Sequence, residues 1–204
     1  MTSGDAYRKF MRRLPLALLA GLLVWLALRT PLDHAVAWGA ETLSRAFEYP
    51  RVTRLVVEDH AAQVRRADFR AGSHIPVITL TQIHFNLIVL LALSFALPGL
   101  RSRHALERLL MAATVLWASQ VLNLLLHVKT MYALGLGEWS RLHYSELAQN
   151  VYGFLRHFTD LPGRFSFPFL AWLGFNWKRV RPLLGDSMEP APAPGRSRLR
   201  RAGR

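Results

Sequence analysis

VITLTQIHFNLIVLLALSFALPGLRSRHALERLLMAATVLWASQVLNLLLHV, residues 77–128, decides the fold. Residues 77–100 and 109–128 are apolar runs that carry no Lys, Arg, Asp or Glu. A short basic stretch from Arg101 to Arg108 separates them. A helix needs about 20 apolar residues to cross the hydrocarbon core of a bilayer, and a soluble core helix seldom stays apolar on every face for so long. The stretch therefore reads as two antiparallel membrane-spanning helices joined by a tight turn.

Working outward, residues 14–28 form a third run with no polar side chain, preceded by Arg12 and Arg13 and closed by Arg29. Its basic start and apolar centre match a signal peptide, but Arg29-Thr30-Pro31 is a poor cleavage site, so an uncleaved first span is expected. Near the other end, residues 165–177 are aromatic and apolar around Pro168. Thirteen residues are too few to cross alone. Two readings remain: a kinked span over 150–177, or a short helix completed by 178–184. Either way Arg156, His157, Asp160 and Arg164 fall at one interface. The sequence thus predicts a mainly α membrane protein with four transmembrane helices, at about 14–29, 80–100, 108–128 and 154–177.

Charge follows the same plan. The chain has 204 residues and a formal charge of +13. Residues 1–13 net +3, the turn at 101–108 +2, and the segment from Lys178 onward +6. The intervening segments 29–76 and 129–164 net only +1 each. Positive charge gathers on the cytoplasmic side of spans, so both termini are expected on the cytoplasmic side. A nucleic-acid partner would leave this alternation unexplained. The bilayer is the partner that composition implies. Residues 185–204, with their Pro-Ala repeats and Arg-rich end, read as a disordered cytoplasmic tail.

The outer loop, residues 30–76, has two parts. Residues 35–47 place Val36, Trp38, Ala40, Leu43 and Phe47 at loosely helical spacing, which predicts a short helix at the interface with Trp38 at headgroup level. Residues 52–57 and 63–69 are alternating, partly β-branched runs about Glu58-Asp-His-Ala-Ala62, which predicts a β-hairpin. One hairpin alone is marginal. Residues 77–81 can supply a third strand, with the helix starting near Gln82, or can belong to the helix itself; periodicity does not separate the two.

Polar side chains inside spans are costly and need a reason. Gln120, Asn123 and His127 share one face of the third span. With the second span helical from Val77, Thr79, Gln82 and Asn86 share a face too. Counting the rise per residue sets Asn86 level with Gln120, Gln82 with Asn123, and Thr79 with His127. Gln82, Asn86, Gln120, Asn123 and His127 are thus candidate intramembrane polar contacts. They either hold the helices together or form a docking surface for a partner segment.

No positive signal for an enzyme appears. The chain has no Cys, which removes disulfides, thiolate metal sites and a Cys nucleophile. His84 and His127 lack metal-ligand spacing and read as satisfied structural histidines. His143, Glu146 and His157 fit no ligand set. Ser94, Ser119 and Ser140 lack a nucleophile-elbow setting. No cofactor motif occurs.

The order of parts resembles a family. A basic start and first span at Leu14-Pro-Leu16 lead to a loop with a hairpin, then to a second span entered through IHFNLIVLLAL (83–93). A basic turn and a third span with Gln120 precede the close LPGRFSFPFLAWLGFN (161–176). This layout is similar to the small multi-span proteins encoded beside exosortases, the exosortase H-associated membrane proteins. Exosortases use a Cys with Arg and His, so a chain without Cys resembles the companion and not the transpeptidase. The resemblance implies a non-catalytic accessory in a protein-sorting system, with an exosortase and the C-terminal sorting tails of its substrates as partners. A small transporter subunit would instead need a polar path through both leaflets, and a membrane hydrolase would need a nucleophile.

Overall fold

The computed structural model describes residues 3–49, 51–67, 75–98 and 102–184. The chain is mainly helical, with one small sheet. Helix α1 spans Ser3–Ala46, strands β1, β2 and β3 span Thr53–Glu58, Ala61–Arg66 and Val77–Thr79, and α2 and α3 follow at Thr81–His84 and Leu87–Ala96. Helix α4 covers Arg103–Leu134, α5 Glu138–His143 and α6 Glu146–Phe158; a π-helical turn at Thr159–Gly163 leads into α7, Arg164–Leu184. The tail at 185–204, the tip of the basic turn at 99–101 and the far end of the second hairpin arm lie outside the described residues.

Two helices, not four, are long and apolar enough by themselves to cross a membrane: α1 and α4. The second apolar run is divided. Its first residues are β3, so the strand reading of 77–81 is the one the fold adopts, and Phe85 and Asn86 separate α2 from α3. The last run is α7, which ends among Lys178, Arg179 and Arg181. Helix runs without interruption from Glu146 to Leu184 through the π turn, where Pro162 lacks the N–H that an α-helical turn would use.

The expected separate helix at 35–47 does not exist as such. It is the C-terminal part of α1, which continues through Pro31 for a total of 44 residues, about 66 Å. Proline inside a helix costs about 3 kcal/mol. Burial of Val36, Ala37 and Ala40 just beyond it, against the sheet and α4, offsets that cost. Trp38 faces outward.

Two cores lie along the long helices. The first joins Phe10, Ala17 and Trp25 of α1 to Leu87, Leu90 and Leu91 of α3, Leu116 of α4 and Trp172 of α7. The second joins the far end of α1 to Leu55, Ala62 and Val64 of the sheet, to Leu80 and Ile83, and to Leu124, Val128 and Tyr132 of α4. Gly21 and Gly39 permit this packing. A Cβ on Gly21 would lie 3.1 Å from the Ile88 carbonyl oxygen, and one on Gly39 2.7 Å from Val121 Cγ2. Only 17% of the apolar window of α1 and 39% of that of α4 is buried. Leu16, Leu19, Leu23 and Leu26 of α1 and Leu110, Met111 and Val115 of α4 face outward.

The sheet is an antiparallel meander ordered β1-β2-β3. Thr53 pairs with Arg66 and Glu58 with Ala61, so the hairpin turns at Asp59-His60. Both residues have positive φ, 46° and 61°, the geometry of the tightest hairpin turns.

Candidate functional site

Polar side chains collect at the sheet end of the bundle in three places. The first is built by one face of α1. Trp25, Arg29 and Asp33 follow at intervals of four and lie against the start of α2. Trp25 Nε1–H donates to His84 Nδ1 at 3.0 Å. That bond leaves the proton of a neutral His84 on Nε2, which meets Asp33 Oδ1 at 2.7 Å. The second Asp33 oxygen meets His60 Nδ1 at 2.6 Å. Arg29 donates to Thr81 Oγ1 at 2.7 Å. Asp33 and His84 are fully buried, and His60 reaches solvent from the strained turn. The chain His84–Asp33–His60 thus links the bundle interior to the surface.

The second place is the pair expected from the rise per residue: Gln120 Nε2 donates to Asn86 Oδ1 at 2.8 Å, both side chains buried. The rest of the expected ladder is partnered differently. Asn123 and His127 turn to Asp160 of the π turn, at 3.5 Å and 3.2 Å. Gln82 lines a cavity beside His127. Thr79 lies in β3 and not on a helix face.

Asp160 centres the third place. Besides His127 and Asn123 it faces Arg156 Nε at 3.6 Å and Arg164 Nη2 at 3.5 Å. These are longer than the 2.7–2.9 Å of a tight charge-assisted bond. One carboxylate thus stands among two guanidinium groups and an imidazole. A cavity of about 290 Å³ opens beside them, lined by Pro76–Thr79, Gln82, Ile83, His127, Met131, Arg156 and Arg164. Among the described residues no acidic side chain lines it. On the other side of the arginines a second hollow contains Asp160 itself.

Nearby, Arg66 lies over the rings of both Tyr132 and Trp139, 4.8 Å from each centroid, and the two rings meet edge to face at 6.3 Å. Tyr144 closes this stack at 6.2 Å from Trp139, and burial pushes its phenol pKa up. His143 stacks on Trp139 at 4.2 Å, and among the described residues no hydrogen bond or ion pair joins it to Glu146 or His157. Among the described residues no group of His, Asp and Glu has metal-binding geometry.

Sequence reasoning located Asn86, Gln120, Asn123 and His127 but missed Asp33, His60 and the partnership of Asp160 with His127. The spacing Trp25, Arg29, Asp33, Val36, Ala40 was a usable signal, since it continues one helical face past Pro31. No protein-family model matches the chain, and neither a curated protein nor a solved structure matches it.

Proposed function

We propose that the chain is a four-span protein of the bacterial inner membrane and a non-catalytic accessory of an exosortase-type sorting system. The observation that carries the membrane reading is the outward apolar face of α1 and α4, where Leu16, Leu19, Leu23, Leu26, Leu110, Met111 and Val115 are exposed. A buried core helix would not leave so many leucines uncovered.

Helix packing supports four crossings. Helices α3 and α7 both lie against α1 and α4. Thr81–Ala96 covers about 24 Å and α7 about 31 Å, enough to cross when the bilayer thins and Lys178, Arg179 and Arg181 snorkel. The charge alternation then sets both termini inside and the sheet outside. At the sheet end, α6 leads into α7 without a break and presents Leu147, Val151, Phe154, Leu155 and Phe158 outward on one face, further apolar surface that a bilayer would cover.

The accessory role comes from the resemblance to exosortase companions. The sheet end offers its contact surface: a hairpin held by Asp33 and a polar wall of Gln82, Asn123 and His127. The experiment is co-purification of the tagged chain with the exosortase of the same cell. A stable complex, weakened by Asn123→Leu, is expected; no complex with the intact chain contradicts the role.

A further inference from the structure

The two edges of the sheet are treated differently. Along β1, the residues whose backbone groups point away from β2 are Thr53, Leu55 and Val57, since Val52 and its alternate neighbours bond to β2. Two of those outward amides are capped by carboxylates. Thr53 N–H donates to Glu48 Oε2 at 3.0 Å and Leu55 N–H to Glu41 Oε2 at 2.9 Å. Charged caps of this kind stop an edge from recruiting another strand.

Along β3 the register runs the same way. Val64 N–H bonds to the Pro76 carbonyl and Leu80 N–H to the His60 carbonyl, so Pro76, Ile78 and Leu80 face β2. Val77 and Thr79 therefore turn their N–H and C=O groups outward. Among the described residues these groups have no hydrogen-bond partner, and both residues are exposed. This edge opens on the 290 Å³ cavity, whose opposite wall carries Arg156, Arg164 and His127. Two guanidinium groups face the one carboxylate of Asp160 at long range, and the buried Nε–H of Arg164 has no partner.

We propose that the cavity between β3 and the π turn binds an extended, carboxylate-bearing peptide segment of a partner protein. The peptide backbone adds to β3 as a fourth strand through Val77 and Thr79. Its carboxylate is received by Arg156 and Arg164, whose planar forks suit that group. The cavity volume accommodates two or three residues, so recognition is of a short motif. Charge selects the ligand: two guanidinium groups face the single carboxylate of Asp160, which leaves this wall net positive, while an edge without partners among the described residues calls for a polypeptide and not a small anion. This inference deepens the accessory reading and rests on it for the polypeptide source.

The test uses the full chain in detergent micelles and needs no exosortase. A dye-labelled hexapeptide of alternating Val and Thr, ending in Glu with a free C-terminus, is titrated against its twin ending in Gln with an amidated C-terminus. Fluorescence anisotropy should give saturable binding of the acidic peptide and at least tenfold weaker binding of the neutral one. Arg156→Gln and Arg164→Gln should each cost at least fivefold. Thr79→Pro removes one outward N–H without touching the ladder to β2 and should weaken binding similarly, with unchanged tryptophan emission as the check on folding. Equal affinity for both peptides, no saturation at millimolar peptide, or full competition by equimolar inorganic phosphate overturns the proposal. Peptide binding without an exosortase complex would remove the accessory role alone; a complex without peptide binding would remove this inference alone.

Discussion

Asp33 and His84, separated by 51 positions in the chain, meet at 2.7 Å in the buried seam between α1 and α2. Their bond ties the first long helix to the start of the second apolar run. Through His60 it also ties both to the hairpin turn. The hairpin turn is therefore tied to the bundle through the Asp33 carboxylate, as β1 is through Glu41.

Asp33→Ala leaves two histidine donors without their acceptor, one of them fully buried. A hydrogen bond to a charged acceptor contributes about 1.5–3 kcal/mol, and here two are lost together. Thermal unfolding in detergent should show that loss. His60→Ala, at the solvent end of the same chain, should cost about 1 kcal/mol. Equal effects of the two substitutions would refute the ranking.

Gln120→Leu should destabilise by roughly 0.6–2 kcal/mol, the range for one hydrogen bond between membrane helices. The double variant with Asn86→Leu should cost less than the sum of the two single changes. Strict additivity would mean that the 2.8 Å bond contributes nothing.

Gly21→Val should destabilise by about 1–3 kcal/mol through overpacking. The added Cβ meets backbone atoms of α3, the Ile88 carbonyl oxygen at 3.1 Å and the Ala92 nitrogen at 3.3 Å, so relief requires the helices to part. Gly174→Val, at a position with nothing within 4 Å of the added Cβ, should be close to neutral. Chemical denaturation of both variants reads the difference.

Removing the Arg66 side chain takes the guanidinium off the rings of Tyr132 and Trp139. A cation held over aromatic faces contributes about 0.5–2 kcal/mol, and Arg66→Ala should lower stability by that amount and shift tryptophan emission. Arg66→Lys should recover only part, because an ammonium does not stack as a guanidinium does.

What the sequence disclosed and what it hid follow from the range of each interaction. The Asn86–Gln120 pair could be placed because both residues lie on helices joined by a short turn, where the rise per residue fixes their level. The hairpin was legible because alternation and a turn signal are local. The Asp33–His84 bond was not, because Thr30-Pro31 reads as a helix stop and the actual helix continues past it, carrying Asp33 to the bundle end. The partners of His127 were hidden for a related reason. They depend on a π turn at Pro162, whose irregular spacing no regular period anticipates.

The most direct test of the account is sidedness. Alkaline phosphatase fused after Arg70 should be active and the same enzyme fused at the C-terminus inactive, since the proposed four crossings set these two positions on opposite faces of the membrane. Equal activity at the two positions would contradict the proposed four-span arrangement and, with it, an external position for the proposed peptide site.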